Sequence, residues 1–402
     1  MTILISFLGR SQLDSKGGYR EASYRLPDGA VRSARYFGLA LAQHLAAERV
    51  LLLGTATSMW DLLVENVAGD TASEDARIEL FDAVRQGTTS NALLDRLTPA
   101  MTQVVGCPVQ ALLIPPAVDF AEQQTILTRL RDAIPRKSRV ALDLTHGFRH
   151  LAMLGLAAAR FLSHEREVQI VGLYYGALDM TSSGTTPVLG LDGLDHLQQW
   201  SETFEAYAAS GDFARFAPLL ERDGFAAEHA RALQNAWSYL MVSNVADAAR
   251  ALTSAVHALE QPLQGASELF RKRLRNSLDW ALAPTLSEKF RRLALQALNR
   301  RDFTRASIFG MEAFLSREVE RNGGNPNDYA ARENARNAFW EQARNSVHPD
   351  WRLRAFFLLN NVRNACAHGT PSKHDPSAEL LRNPERLAQE LERVLNQLTN
   401  TP

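Results

Sequence analysis

The hydrophobic rhythm of this chain changes once, near Leu197, and that change limits it to two unlike folding units. Before it, short apolar runs at 3–8, 50–53, 110–114, 140–144 and 168–175 are bounded by Gly, Pro or polar residues. Continuous runs of this length suit strands buried on both faces of a parallel sheet. Between them, stretches at about 33–48, 75–96, 118–134 and 147–164 read as helices. Strand–helix alternation predicts a doubly wound, Rossmann-like α/β domain. After Leu197 helical spacing takes over. Phe290, Leu293, Ala294, Ala297 and Leu298 follow i, i+3, i+4, i+7, i+8, and Trp351, Ala355, Leu358, Leu359, Val362 and Cys366 form a similar stripe. Arg321-Asn322-Gly323-Gly324-Asn325-Pro326 is a loop between helices. The second half is predicted to be all-α.

At 402 residues the chain is too long for one ordinary core. The expected division is 1–190 for the α/β domain, 191–285 for a helical connector and 286–402 for a terminal bundle, with a hinge at Gly190-Leu191-Asp192-Gly193. The net charge of −1 means that any nucleic-acid contact must come from a local patch. Cys107 and Cys366 give no disulfide framework and fit a reducing cytoplasm. The start, Met1-Thr2-Ile3-Leu4, lacks a basic n-region and reads as a first strand rather than a signal peptide. The stretch 151–162 is too short to span a bilayer and is broken by Arg160, so no membrane partner is expected.

Doubly wound sheets bind ligands outside the carboxyl ends of their strands, where the strand order reverses. Three segments fall at such ends: Gly9-Arg10-Ser11, Gly54 to Asp61, and Asp143 to Arg149. Glycine lets backbone approach a ligand closely. Helices starting after Ser58 and Gly147 offer free N–H groups to phosphate, and Arg10 and Arg149 carry charge to neutralise it. Asp61 and Asp143 read equally as turn or cap residues, and Thr55, Thr57 and Ser58 as the start of a helix. His146 and His150 have the spacing of two zinc ligands on one helical face, but a third ligand is not evident, so no metal is expected. No Walker A loop is present and no GxGxxG follows the first strand, which argues against ATP hydrolysis and ordinary dinucleotide binding. The segment 19–30, with Leu26-Pro27-Asp28-Gly29-Ala30 as its turn, reads as a β-hairpin inserted after the first strand.

Taken together, Ser6-Phe7-Leu8-Gly9, Gly54-Thr55 with Thr57-Ser58-Met59-Trp60-Asp61, Leu142 to Arg149, and Leu173-Tyr174-Tyr175-Gly176-Ala177 resemble a CARF domain, the CRISPR-associated Rossmann fold. The likeness is to the branch found in ancillary ribonucleases of type III CRISPR systems, and Thr145-His146-Gly147-Phe148-Arg149 is its most specific part. The resemblance implies a homodimer, or higher homo-oligomer, that binds a cyclic oligoadenylate, tetra- or hexa-adenylate, across its two-fold axis. An even-numbered ring can place equal halves on two equivalent subunits. By position, Gly9, Arg10, Thr55, Ser58, Thr145, His146, Gly147 and Arg149 are the ligand contacts it implies.

Near the other end stands Arg363-Asn364-Ala365-Cys366-Ala367-His368, followed by Gly369 and Pro371. Gly then Pro reads as a helix stop. Five residues on a helix turn about 500°, so the two side chains converge only if the chain changes course near His368, or on a substrate lying along that end. By itself the motif also reads as a solvated face with a terminal histidine. Beside a CARF-like domain, an Arg-polar-x3-His pattern at a helix end resembles HEPN ribonucleases. That family implies a composite site made by two copies and metal-independent cleavage of single-stranded RNA by its own 2′-hydroxyl, leaving a cyclic phosphate. It implies that Arg363 stabilises the phosphorane, Asn364 orients groups and His368 moves protons. Glu312, on the preceding helix, is expected either to orient Arg363 or to be a surface carboxylate.

The expectation is therefore a cytoplasmic endoribonuclease, activated by cyclic oligoadenylate and needing no cofactor. Two alternatives stay open: a ring-binding sensor or adaptor without catalysis, and a ring nuclease that cuts its own ligand with help from Ser11 or Thr145. A DNA-binding regulator is disfavoured, because no helix-turn-helix with a basic recognition helix is evident.

Overall fold

In a computed structural model, which describes residues 1–9, 21–345, 348–369 and 377–400, the chain forms two compact units, Met1–Asp195 and His196–Pro402. The first contains β1 (Thr2–Leu8), β2 (Ala22–Arg25), β3 (Val31–Ala34), α1 (Phe37–His44), β4 (Arg49–Gly54), α2 (Trp60–Ala68), α3 (Glu74–Gln86), α4 (Asn91–Val105), β5 (Val109–Leu113), α5 (Phe120–Ala133), β6 (Arg139–Asp143), α6 (Arg149–Glu165), β7 (Gln169–Gly176) and β8 (Thr185–Gly190). The eight strands form one sheet in the order β3-β2-β8-β7-β6-β1-β4-β5. The five strands β5, β4, β1, β6 and β7 run parallel, and β8 returns antiparallel to β7. The order reverses between β1 and β6, which pair with Ser6 opposite Asp143.

Period-two alternation along β1 explains the two apolar layers. Leu4 and Leu8 join Phe37, Leu41, Trp60, Leu63 and Leu97 on the face covered by α1 to α4. Ile3, Ile5 and Phe7 join Ile126, Leu130, Leu151 and Leu162 under α5 and α6. Ser6, even-numbered and fully buried, therefore faces α1.

Two expectations change. The helix expected at 33–48 begins only at Phe37, because 31–34 pairs with β2 as the outer strand of the hairpin, and β2 pairs in turn with β8. The helix expected at 75–96 is two helices: Gly87, at φ 70°, ends α3, and the Ser90 hydroxyl caps α4. The segment 190–193, expected as a hinge, holds the end of β8 and the start of α7 (Asp192–Ser210), with the Asp192 carboxylate accepting a hydrogen bond from Leu173 N at 3.1 Å.

The second unit is helical among its described residues: most of α7, then α8 (Ala217–Arg222), α9 (Ala227–Met241), α10 (Val245–Ala258), α11 (Ser267–Ser277), α12 (Leu286–Asn299), α13 (Phe303–Arg321), α14 (Tyr329–Asn345), α15 (Trp351–His368), α16 (Ser377–Leu381) and α17 (Pro384–Asn400). One apolar core runs through it from Trp200 to Leu398. The segments 191–285 and 286–402 thus share their buried side chains, with Trp280, Phe290, Phe314 and Leu395 in the same cluster.

Candidate functional site

At the reversal point the chain brings buried polar groups together. Asp143, at the end of β6, is fully buried and accepts from the Ser6 hydroxyl at 2.6 Å and from Thr145 N at 2.9 Å. The Tyr36 hydroxyl donates to Phe7 O at 3.0 Å and lies 2.8 Å from the Ser6 Oγ. Its ring stacks on His146, with centroids 5.1 Å apart. Burial holds the His146 imidazole below its ordinary pKa, while the Asp143 carboxylate pulls the other way. Tyr24, also buried here, has its phenol pushed well up by burial and by Asp143. Asp143 is thus a turn-forming acceptor, one of the two roles open to it from sequence.

Glycine lets the ends of β1 and β6 meet. A Cβ on Gly9 would stand 2.4 Å from the Gly147 backbone, and Gly147 itself has φ 107°. Gly38 packs the start of α1 onto the same cluster, where a Cβ would lie 2.3 Å from Ser6 Oγ. The Thr145 hydroxyl accepts from Gly176 N at 2.8 Å, tying the loop to β7.

The sequence-derived ligand contacts separate into two kinds. Thr55 and Ser58 are buried, and their polar groups are used within the protein. Ser58 Oγ accepts from Thr55 N at 2.9 Å and donates to Leu8 O at 2.8 Å, and the Trp60 indole donates to Thr55 O. Both residues therefore stitch the β4 loop to the end of β1. Gly9 is buried, whereas Thr145, His146 and Gly147 are half-buried and Arg149 is exposed at the start of α6. Phe148 occupies the N-cap position and makes no side-chain capping hydrogen bond, and among the described residues none is seen to cap that helix. Arg10 and Ser11 lie outside the described residues. His150 binds Pro116 O at 2.7 Å, and among the described residues no three His, Cys, Asp or Glu side chains converge as metal ligands. Sequence reading passed over Tyr36 and Gly38, because nothing in their spacing ties them to Ser6.

The second cluster lies at the end of α15. This helix starts at Asp350, whose carboxylate accepts from Leu353 N at 2.8 Å, and ends at Gly369, at φ 69°. It runs unbroken through His368. Arg363 and His368 therefore point about 140° apart around one axis. Val362 and Ala365 are buried, Arg363 is half-buried, and Asn364 and His368 are exposed. Burial and the charge of Arg336 lower the Arg363 pKa, yet a guanidinium keeps its proton in proteins. Glu312, on α13, is mostly buried and pairs with Arg332 of α14, a third arrangement beside the two expected for it.

Residues 3–179 match the family model described as the CARF domain of the CRISPR system endoribonuclease Csx1. CRISPR-associated protein MJ1674 of Methanocaldococcus jannaschii is 24% identical over 245 residues, covering 56% of this chain and 39% of that protein. The chain thus aligns with well under half the length of that relative. Among solved structures, Enterococcus italicus Csm6 bound to cyclic hexa-2′-fluoro-hexa-dAMP aligns over 99% of this chain and 94% of its own, at 13% identity and a TM-score of 0.35. Over residues 3–179 the first unit is thus similar to a CARF domain, and the chain has a CRISPR-associated relative.

Proposed function

We propose that this protein is an endoribonuclease switched on by a cyclic oligoadenylate, acting on single-stranded RNA in type III CRISPR defence. The observation that carries the reading is one chain joining a CARF-like domain at residues 3–179 to a helical unit whose α15 ends in Arg363, Asn364 and His368. The ring's phosphates would meet the uncapped N-terminus of α6, with Arg149 as counter-charge and the Gly9–Gly147 contact allowing close approach. Thr55, Ser58 and Asp143 would hold the loops in place rather than touch the ring. Tyr36 and His146 together offer a stacked aromatic surface for an adenine.

Cleavage needs Arg363 and His368 on one phosphate, and their divergence on a single helix favours a site completed by a second copy. In it the 2′-oxygen attacks phosphorus as it loses its proton, and the bond from phosphorus to the 5′-oxygen breaks. The 5′-oxygen takes up a proton, leaving a 2′,3′-cyclic phosphate and a 5′-hydroxyl. Exposed His368 side chains from the two copies serve as base and acid. Arg363 faces the charge that develops on the phosphorane. Ring binding must favour the dimer arrangement that brings the two motifs into register, by its differential affinity for that arrangement.

The test is product chemistry. RNA cut by the ring-activated protein should end in a 2′,3′-cyclic phosphate by mass spectrometry, and Arg363→Ala should cut at least about a hundredfold more slowly. Full cleavage by Arg363→Ala, or products ending in 5′-phosphate, would sink the assignment.

A further inference from the structure

The helical unit holds more positive charge beside α15 than the Arg363 motif accounts for. Glu312 of α13, with its side chain 15% exposed, pairs with Arg332 of α14. Burial lowers the proton affinity of Arg332 and Arg363, and Arg336, one turn along α14 from Arg332, is near enough for its charge to add to that. Helix packing sets this arrangement. Phe339 is buried, stacks on Phe356 of α15 at 5.2 Å and lies 5.0 Å from Phe314 of α13. Residues 332, 336 and 339 are spaced i, i+4, i+7 and share that face of α14. Arg336 therefore links the Arg332–Glu312 pair to Arg363.

The charges in this cluster do not balance. Of the three guanidiniums only that of Arg332 has a carboxylate partner, Glu312. Among the described residues neither Arg336 nor Arg363 forms an ion pair, and the Arg336 Nε is buried without a hydrogen-bond partner. Crowding half-buried like charges opposes folding unless a counter-charge arrives. Arginine does not relieve such crowding by losing a proton, whereas an anion at the cluster does relieve it. Phosphate suits guanidinium, because it accepts two parallel charge-assisted hydrogen bonds.

We infer that Arg332 and Arg336 bind backbone phosphates of the RNA beside the one held by Arg363, and that Glu312 is a resident counter-charge competing with those phosphates for Arg332. The inference rests on the ribonuclease reading and extends it from one phosphate to a short track that ignores base identity. Glu312 lies close to this track, so its negative charge restrains binding.

The full chain carrying His368→Ala, which leaves the RNA uncut, is titrated with a fluorescein-labelled single-stranded RNA. The titrations run with cyclic tetra- or hexa-adenylate present, at several salt concentrations, and are read by anisotropy. Adding Arg336→Gln should weaken binding by about ten- to hundredfold. It should also flatten the slope of log affinity against log salt by about 0.7 for each phosphate no longer neutralised. Its melting temperature should be no lower than the parent's, because a repulsion has been removed. Adding Glu312→Gln should tighten binding while lowering the melting temperature. A purely structural role would lower stability without tightening binding. If the parent binds RNA and Arg332→Gln and Arg336→Gln keep its affinity and salt slope, the track is wrong and the ribonuclease reading stands. If the parent binds no RNA, both fall.

Discussion

His146 shows how one side chain's surroundings set its behaviour. Its imidazole is kept neutral mainly by burial against Tyr36, with Asp143 opposing. A histidine whose folded pKa lies below its unfolded value binds its proton more readily in the unfolded chain. The stability tied to neutral His146 is therefore present above about pH 6.5 and is lost as pH falls below it. Melting temperatures measured between pH 7.5 and 5.5 should fall more steeply for wild type than for His146→Gln, and parallel curves would contradict this account. Gly9 makes a second case. Its missing Cβ leaves room for the Gly147 backbone at 2.4 Å, and backbone cannot swing aside as a side chain can. Gly9→Ala should cost about 1–3 kcal/mol by denaturant unfolding and lose ring activation with it. An alanine variant of unchanged stability would show that the two strand ends are not in this contact. Both glycines stood out in the sequence as close-approach positions. Tyr36 did not, because its link to Ser6 exists only once the hairpin and α1 have folded against the sheet.

At the scale of elements, what the sequence disclosed depended on where each element packs. The five parallel strands were legible because burial on both faces demands largely apolar runs, and β1, with Ile3, Leu4, Ile5, Phe7 and Leu8 around a single Ser6, is such a run. β3 and β8 were not. Val-Arg-Ser-Ala lies at the sheet edge and Thr-Thr-Pro-Val-Leu-Gly between β2 and β7, and their pairing partners, not their composition, make them strands. Helix α15 was legible at its end, where Gly369 reads as a stop, but not at its start, where the Asp350 cap emerges only from the structure. Replacing Asp350 by Ala should remove about 1 kcal/mol of stability, measured by denaturant unfolding. Ring-activated cleavage per folded molecule should stay at the wild-type level, since the cap lies at the opposite end of the helix from His368. A loss of cleavage beyond the loss of folded protein would mean that the whole helix, and not its end, is part of the working site. The partner of Glu312 was hidden for a different reason. Nothing in the spacing between α13 and α14 tells which arginine of α14 will face the carboxylate, and the answer depends on the Phe314, Phe339 and Phe356 packing.

For the whole molecule, the division between a sheet-based unit and a helical one was visible as the single change in hydrophobic rhythm, and the structure divides at Asp195/His196. A net charge of −1 hides local concentrations of charge such as Arg336 close to both Arg332 and Arg363. Bulk composition therefore says little about RNA binding in a protein built this way. No described helix is long and apolar enough to cross a membrane. The central claim is that one unit reads a cyclic nucleotide and the other cuts RNA without a metal. The most direct measurement is cleavage of a fluorescent single-stranded RNA in excess EDTA, with no ring, cyclic tetra-adenylate or cyclic hexa-adenylate, for wild type and His368→Ala. The account predicts cleavage by wild type with one of the two rings only, undiminished by the chelator, and none by His368→Ala. Cleavage that ignores both rings, stops with EDTA or persists in His368→Ala would contradict it.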